Sequence, residues 1–268
     1  MEAECTLDLT SWGVPFQLAA ETPMLLDRMR QSAPFGSVPC RIPDPSMRRF
    51  SLQPSNAHAG YRVVGGDELL ADEECEDAAL DQLGGHLITH VAEHAPDYVF
   101  VHAGVVALHG RALLLPGVSF AGKSTLVAEL VRAGATYYSD EFALIDCEGF
   151  VHPFPRDLRM RQPGRPEQTP VPVHQLQGRA GTCPVPVALV VFTHFAPGGV
   201  WSPEPLSVGQ AALEMLLHAL PVQRTPARVL STFAAAMRQA RALRTPRGEA
   251  SLAASALLSG LESEGAAA

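Results

Sequence analysis

Residues 117–124, Gly-Val-Ser-Phe-Ala-Gly-Lys-Ser, constrain this chain more than any other stretch. They fit the pattern G-x-x-x-x-G-K-[ST], and the apolar run "ALLLP" stands directly before them. Each fixed position has a physical reason. Glycines let the backbone curl until successive N–H groups point into one concave anion site. A helix starting at the end of the curl aims its positive pole at the same place. Lys123 can reach terminal phosphates as a point charge, and Ser124 can hand its hydroxyl to Mg²⁺. At average residue frequencies the fixed positions recur on the order of once in a hundred chains of this length. The context sharpens the signal. "RALLLPG" reads as a strand, and "KSTLVAELVRAG" puts Leu126, Leu130 and Val131 on one helical face with Gly134 as a stop. Gly117, Val118, Ser119, Phe120, Ala121, Gly122, Lys123, Ser124 and Thr125 are the expected nucleotide-binding residues.

A phosphate site is not yet a function. The Asn-Lys-x-Asp element of guanine-reading switches does not occur, and the apolar strand "VALVVFTH" ends in Thr193 and His194 where an ordinary ATPase carries a metal-binding carboxylate. The acidic partner is expected in "TYYSDEFALID", which reads as a returning strand. Asp140 and Glu141 there can divide the work, one on Mg²⁺ and one taking a proton from an attacking hydroxyl. Side chains alternate along a strand, so on this reading only one of the two faces the site.

The surrounding sequence fills in an architecture. "YVFVHAGVVALHGRALLLPG" reads as strand, turn, strand; "CTLDLTSWGVPFQL", "RRFSLQP" and "YRVVGG" read as strands, and "PMLLDRMRQ" as a short helix ending before Pro34. The acidic stretch "GDELLADEECEDAALDQLGG" reads as a solvated helix face or loop. His86, His90 and His94 fall four apart on one helical face. The outer two lie about 12 Å apart at 1.5 Å rise per residue, too far to share one ion easily. Residues 151–186 are rich in proline and basic side chains. Arg159 and Arg161 would share a strand face there, near Arg156, where they could meet phosphate or an acidic substrate. Residues 207–262 are helical in pattern, broken near Pro221 and Pro246.

Composition bounds the rest. The 268 residues are 47% hydrophobic with a formal net charge of −8, which favours a packed core and argues against a general nucleic-acid binder. Five scattered cysteines without C-x-x-C spacing read as reduced thiols, no apolar stretch reaches the roughly 18 residues of a spanning helix, and the acidic start "MEAECTLDLTSW" lacks a signal-peptide core. A cytoplasmic protein without nucleic-acid or membrane partners is the expectation.

Residues 101–141, "VHAGVVALHGRALLLPGVSFAGKSTLVAELVRAGATYYSDE", resemble the catalytic domain of HPr kinase/phosphorylase and its related serine kinases. His102, Gly110, Gly117, Gly122, Lys123, Ser124, Gly134, Asp140 and Glu141 fall in register with that family's histidine-led strand pair, P-loop and acidic pair. The block is about 15% of the chain. The resemblance implies an α/β P-loop kinase domain with a mixed sheet and a phosphoenolpyruvate-carboxykinase-like fold, using ATP and Mg²⁺. It implies Asp140 as general base toward a hydroxyl, with Lys123 and His102 near the phosphates. It places Asp140, Glu141 and Ser124 at the metal. As a bare residue, His102 on an apolar strand reads first as a packed core histidine, and the family position makes a site role its equal.

The chain departs from the family's dedicated enzymes at Thr125, where they carry glutamate, and at Glu141, where they carry aspartate. It also lacks their C-terminal proline-glycine-arginine-asparagine signature; Pro163-Gly164-Arg165 sits in other surroundings. These departures point away from HPr as substrate and from the reverse phosphorylase reaction, toward the branch that phosphorylates other acceptors. The expected layout is a small α+β module over 1–95, for substrate or partner recruitment, and a catalytic domain with a helical tail over 96–268. The expected reaction is γ-phosphoryl transfer to a serine or other hydroxyl of a peptide, protein or small molecule; the alternative is an ATP-binding regulator with little turnover. Oligomer formation is left open.

Overall fold

In the computed structural model of the chain, the described residues are 4–41, 47–57, 59–118, 122–161 and 168–265, with side chains described as far as 259. The chain is mixed α/β and divides into two compact units, Met1–Asp97 and Tyr98–Ala268.

The first unit carries strands β1 (Cys5–Ser11) and β2 (Val14–Ala20), helix α1 (Pro23–Gln31), and strands β3 (Val38–Pro39), β4 (Arg48–Pro54), β5 (Tyr61–Gly65) and β6 (Glu68–Glu73), then helix α2 (Glu76–His94). Its sheet runs β3-β1-β2-β4-β5-β6 and is antiparallel apart from the parallel β2–β4 pair. "CTLDLTSWGVPFQL" is two strands rather than one, because Trp12 (φ 50°) and Gly13 (φ 81°) turn the chain between them. The acidic stretch expected to be solvated supplies β6 and the first turns of α2. Ala79, Leu80 and Leu83 there, and Leu87 just beyond, are buried at helical spacing while the carboxylates stay outside.

The second unit begins with β7 (Tyr98–Leu108), β8 (Arg111–Pro116) and α3 (Lys123–Arg132). Strands β9 (Thr136–Ser139), β10 (Phe142–Asp146), β11 (Phe150–His152), β12 (Leu158–Arg161), β13 (Gln168–Val171), β14 (Val185–Phe195) and β15 (Glu204–Leu206) follow. Helices α4 (Val208–Leu216) and α5 (Pro226–Ala236), strand β16 (Arg241–Arg247) and helix α6 (Ala250–Gly265) complete it. The main sheet runs β11-β10-β7-β8-β14-β16-β15. Strand β9 is added on β7, and β11 also pairs with β14. Strand β14 is parallel to both β8 and β16, and the other pairs are antiparallel. β12 and β13 form a separate ribbon.

Alternation along the strands sorts the core into two layers. Val99, Val101, Ala103 and Val105 of β7, with Ala112 and Leu114 of β8, pack under α4 and α5 through Ala211, Met215, Val229 and Phe233. Val106, Leu113 and Leu115 face the other way, onto Leu126, Val127, Leu130 and Val131 of α3 and onto Ala253, Ala254 and Leu257 of α6. A sheet covered on both faces needs near-continuous apolar strands, and "YVFVHAGVVAL" and "VALVVF" are such runs.

Two further expectations differ from the structure. The acidic pair is not inside a strand: "TYYSDEFALID" breaks into β9 and β10, with a bend at Asp140 and Glu141. The C-terminal region is not helical throughout, because Arg241–Arg247 forms a strand of the main sheet. Among the described residues all five cysteines are free thiols, and no helix is long and apolar enough to cross a membrane.

Candidate functional site

The site forms where β7 changes partners. Tyr98–His102 pairs with β10, whereas Ala103–Leu108 pairs with β8 on one side and, at Val105–Ala107, with β9 on the other. At that fork, backbone bonds of two adjacent residues gather three loops. His102 N–H donates to the His218 carbonyl at 2.8 Å, and the His102 carbonyl accepts from Gly117 N–H at 3.1 Å. Ala103 N–H donates to the Glu141 carbonyl at 3.0 Å. The start of the glycine-rich loop, the acidic bend and the turn after α4 are therefore tied to one point of the sheet.

Gly122 caps α3 with a left-handed backbone (φ 79°, ψ 19°), a conformation that favours glycine. Lys123 is the first helical residue, and its Nζ donates to the carbonyls of Gly117 and Val118, each at 2.8 Å. Among the described residues these bonds use two of its three hydrogens, on the entry to the glycine-rich loop. Burial lowers the Lys123 pKa below its ordinary value, while Asp140 and Glu141 act against the shift. Ser119, Phe120 and Ala121 lie outside the described residues, as does the Pro163-Gly164-Arg165 segment.

The acidic bend is made by Ser139, whose hydroxyl accepts from the N–H groups of Glu141 (3.1 Å) and Phe142 (2.9 Å). This local side-chain cap competes with a continuous strand and stops it here. Freed from strand alternation, both carboxylates turn into one cleft. It is lined by His102, Gly122, Lys123, Ser124, Thr125, Asp140 and Glu141, with Arg159, Met160, Arg161 and Gln168 from the β12–β13 ribbon.

Asp140 is only 5% exposed. Its Oδ1 accepts from the Tyr137 hydroxyl at 3.1 Å and its Oδ2 from the Arg159 backbone N–H at 3.2 Å. Tyr137 Oη also lies 2.9 Å from the Arg156 carbonyl, and burial raises its pKa so that it stays a neutral donor. Glu141 pairs with the Arg156 guanidinium. Burial raises the Glu141 pKa, and Arg156 opposes the rise.

His102 is half-buried, its ring tilted against Phe142 with centroids 4.6 Å apart. Burial, then the charge of Lys123, lowers its pKa below 6.5. His218 is shifted the same way by the same two causes. It joins the charged cluster from the turn after α4, together with Tyr137 from β9. Neither was expected at the site, since a lone histidine after a helix and a tyrosine in an apolar strand have no local signature; only strand pairing brings them in.

His102, Lys123, Ser124, Asp140 and Glu141 thus share one cleft, with Arg156 beside it. Hard oxygen donors from Ser124 and from the acidic pair, Asp140 and Glu141, suit Mg²⁺, which needs only one or two carboxylates when phosphate oxygens complete its shell. Among the described residues no group of three or more histidine, cysteine, aspartate or glutamate side chains gathers as a protein-only metal site, in this cleft or outside it. No protein-family model matches the chain, and no curated protein matches it.

Proposed function

We propose that the Tyr98–Ala268 unit is an ATP-dependent kinase that transfers a γ-phosphoryl group to a serine or other hydroxyl of a peptide, protein or small molecule in the cytoplasm. One observation carries the reading: a buried, hydrogen-bonded carboxylate, Asp140, opens on the same cleft as the first residues of the P-loop helix, Lys123 and Ser124. The resemblance of residues 101–141 to the HPr kinase group supports the same reading.

The chemistry follows from the residues. The N-terminus of α3 and Lys123 attract the phosphate chain of ATP and stabilise charge as it spreads over the transferring group. Ser124 and Glu141 would hold Mg²⁺, which would neutralise phosphate charge and leave Asp140 to act as the base. Asp140 accepts the proton of the attacking hydroxyl, its orientation fixed by Tyr137 and the Arg159 N–H. The hydroxyl oxygen forms the new P–O bond as the bond to the ADP oxygen breaks. His102 lines the cleft, and burial lowers its pKa and that of the nearby His218, which disfavours a positive charge on either that would compete with Lys123.

The test is purified protein with γ-labelled ATP, Mg²⁺ and a panel of hydroxyl acceptors. The wild type is expected to pass label to an acceptor. Asp140→Asn is expected to lose roughly a thousandfold in rate while still binding ATP. Tight ATP binding with no transfer to any acceptor makes the chain a nucleotide-responsive regulator instead, and transfer by Asp140→Asn at the native rate removes Asp140 as base.

A further inference from the structure

Arg247, the last residue of β16, stands where electrostatics disfavours a cation. It is 3% exposed. Its Nη2 donates to the Gly122 carbonyl at 2.9 Å and its Nη1 to the Gly248 carbonyl at 3.2 Å. Gly122 is the N-cap of α3, so the guanidinium sits at the positive end of that helix, where a dipole repels cations. Burial lowers its pKa, with Glu249 favouring the charge. Nε is buried without a partner. The Phe195 ring, 5.6 Å from Cζ, offsets part of this. A buried, unpaired N–H costs free energy and is uncommon in folded proteins.

The arrangement makes sense once an anion sits at the head of α3, because negative charge there relieves both the helix pole and the buried guanidinium. Gly122 is built around it: a Cβ at that position would lie 2.3 Å from Arg247 Nη2. Resting on the nucleotide reading above, we propose that Arg247 is a positioning residue of the phosphate site. It pins the left-handed Gly122 from behind and adds a fixed positive charge that favours nucleoside di- and triphosphates over monophosphates. It acts through the Gly122 carbonyl and through space. Lys123 belongs to the ligand side of the loop and Arg247 to the protein side.

The full chain is titrated calorimetrically with Mg·ATP, Mg·ADP, AMP and adenosine, and melted with and without each. Variants are Arg247→Met, which keeps apolar bulk, and Arg247→Lys, which keeps the charge. Arg247→Met is expected to weaken ATP and ADP about tenfold and AMP less than about twofold. Adenosine should bind as before. The empty variant should melt no lower than wild type, since the misplaced charge is gone, and Arg247→Lys should recover part of the affinity. Unchanged ATP and ADP binding in Arg247→Met overturns the proposal. So does equal loss across all four ligands, or a lower melting temperature of the empty protein with the nucleotide-induced rise intact, which marks a purely structural arginine. A wild type that binds none of the four fails earlier, at the nucleotide reading itself.

Discussion

The Tyr137 hydroxyl lies 3.1 Å from Asp140 Oδ1, so a fully buried phenol orients the carboxylate that faces the P-loop helix. Tyr137→Phe removes that donor and leaves the Arg159 N–H, 3.2 Å from Asp140 Oδ2. The variant should lose about 1 kcal/mol of stability in denaturant titration. On the proposed kinase reading it should transfer phosphate several-fold more slowly, with its KM for ATP unchanged, because the phenol bonds Asp140 rather than the P-loop helix. A raised KM with an unchanged kcat would place Tyr137 at the nucleotide instead.

Gly104 marks how closely α3 approaches the sheet. A Cβ there would lie 2.6 Å from Val127 Cγ2, inside any real contact. Gly104→Ala should therefore push α3 off β7 and cost about 1–3 kcal/mol, read as a lower denaturant midpoint. Nucleotide affinity should fall with it, since Lys123 and Ser124 ride on the displaced helix. A variant as stable as wild type would show that the helix can shift freely at this point.

The histidines set an acid limit on stability. Burial and Lys123 lower the pKa of both His102 and His218 below 6.5 in the folded chain. As pH falls through that value, the unfolded chain takes up protons first, so folding free energy is lost on the acid side. Glu141, raised by burial, acts in the opposite direction in the window just above 4.5. Melting temperatures at about pH 7.5 and about pH 5.5 should fall more for wild type than for the His102→Asn/His218→Asn variant. Equal falls would contradict the shifts.

Legibility in the sequence followed locality. The strand–loop–helix of residues 98–132 could be read directly, because apolar runs, glycines and a 3.6-residue repeat all sit within the segment they describe. The break at Asp140 could not. It depends on Ser139 capping two N–H groups, a local bond that an apolar run with one serine does not advertise. Strand β16, "RALRTPR", was hidden by its four polar or charged residues and by Pro246. That proline lies past Arg244, the last residue paired to β15. Only the parallel pairing to β14 makes the stretch a strand, and with it goes the burial of Arg247. Tyr137, His218 and Arg247 reach the site through the fork in β7 and the sheet order. Those are long-range facts that no window of sequence contains.

The proposed grip of residues 117–124 on a polyphosphate depends on Lys123, and calorimetric titration of Mg·ATP into wild type and Lys123→Ala measures that dependence. Saturable one-site binding to the wild type is expected, with an affinity about 100-fold weaker in Lys123→Ala and its fold intact by circular dichroism. Equal affinities in the two proteins would remove Lys123 from the phosphate site.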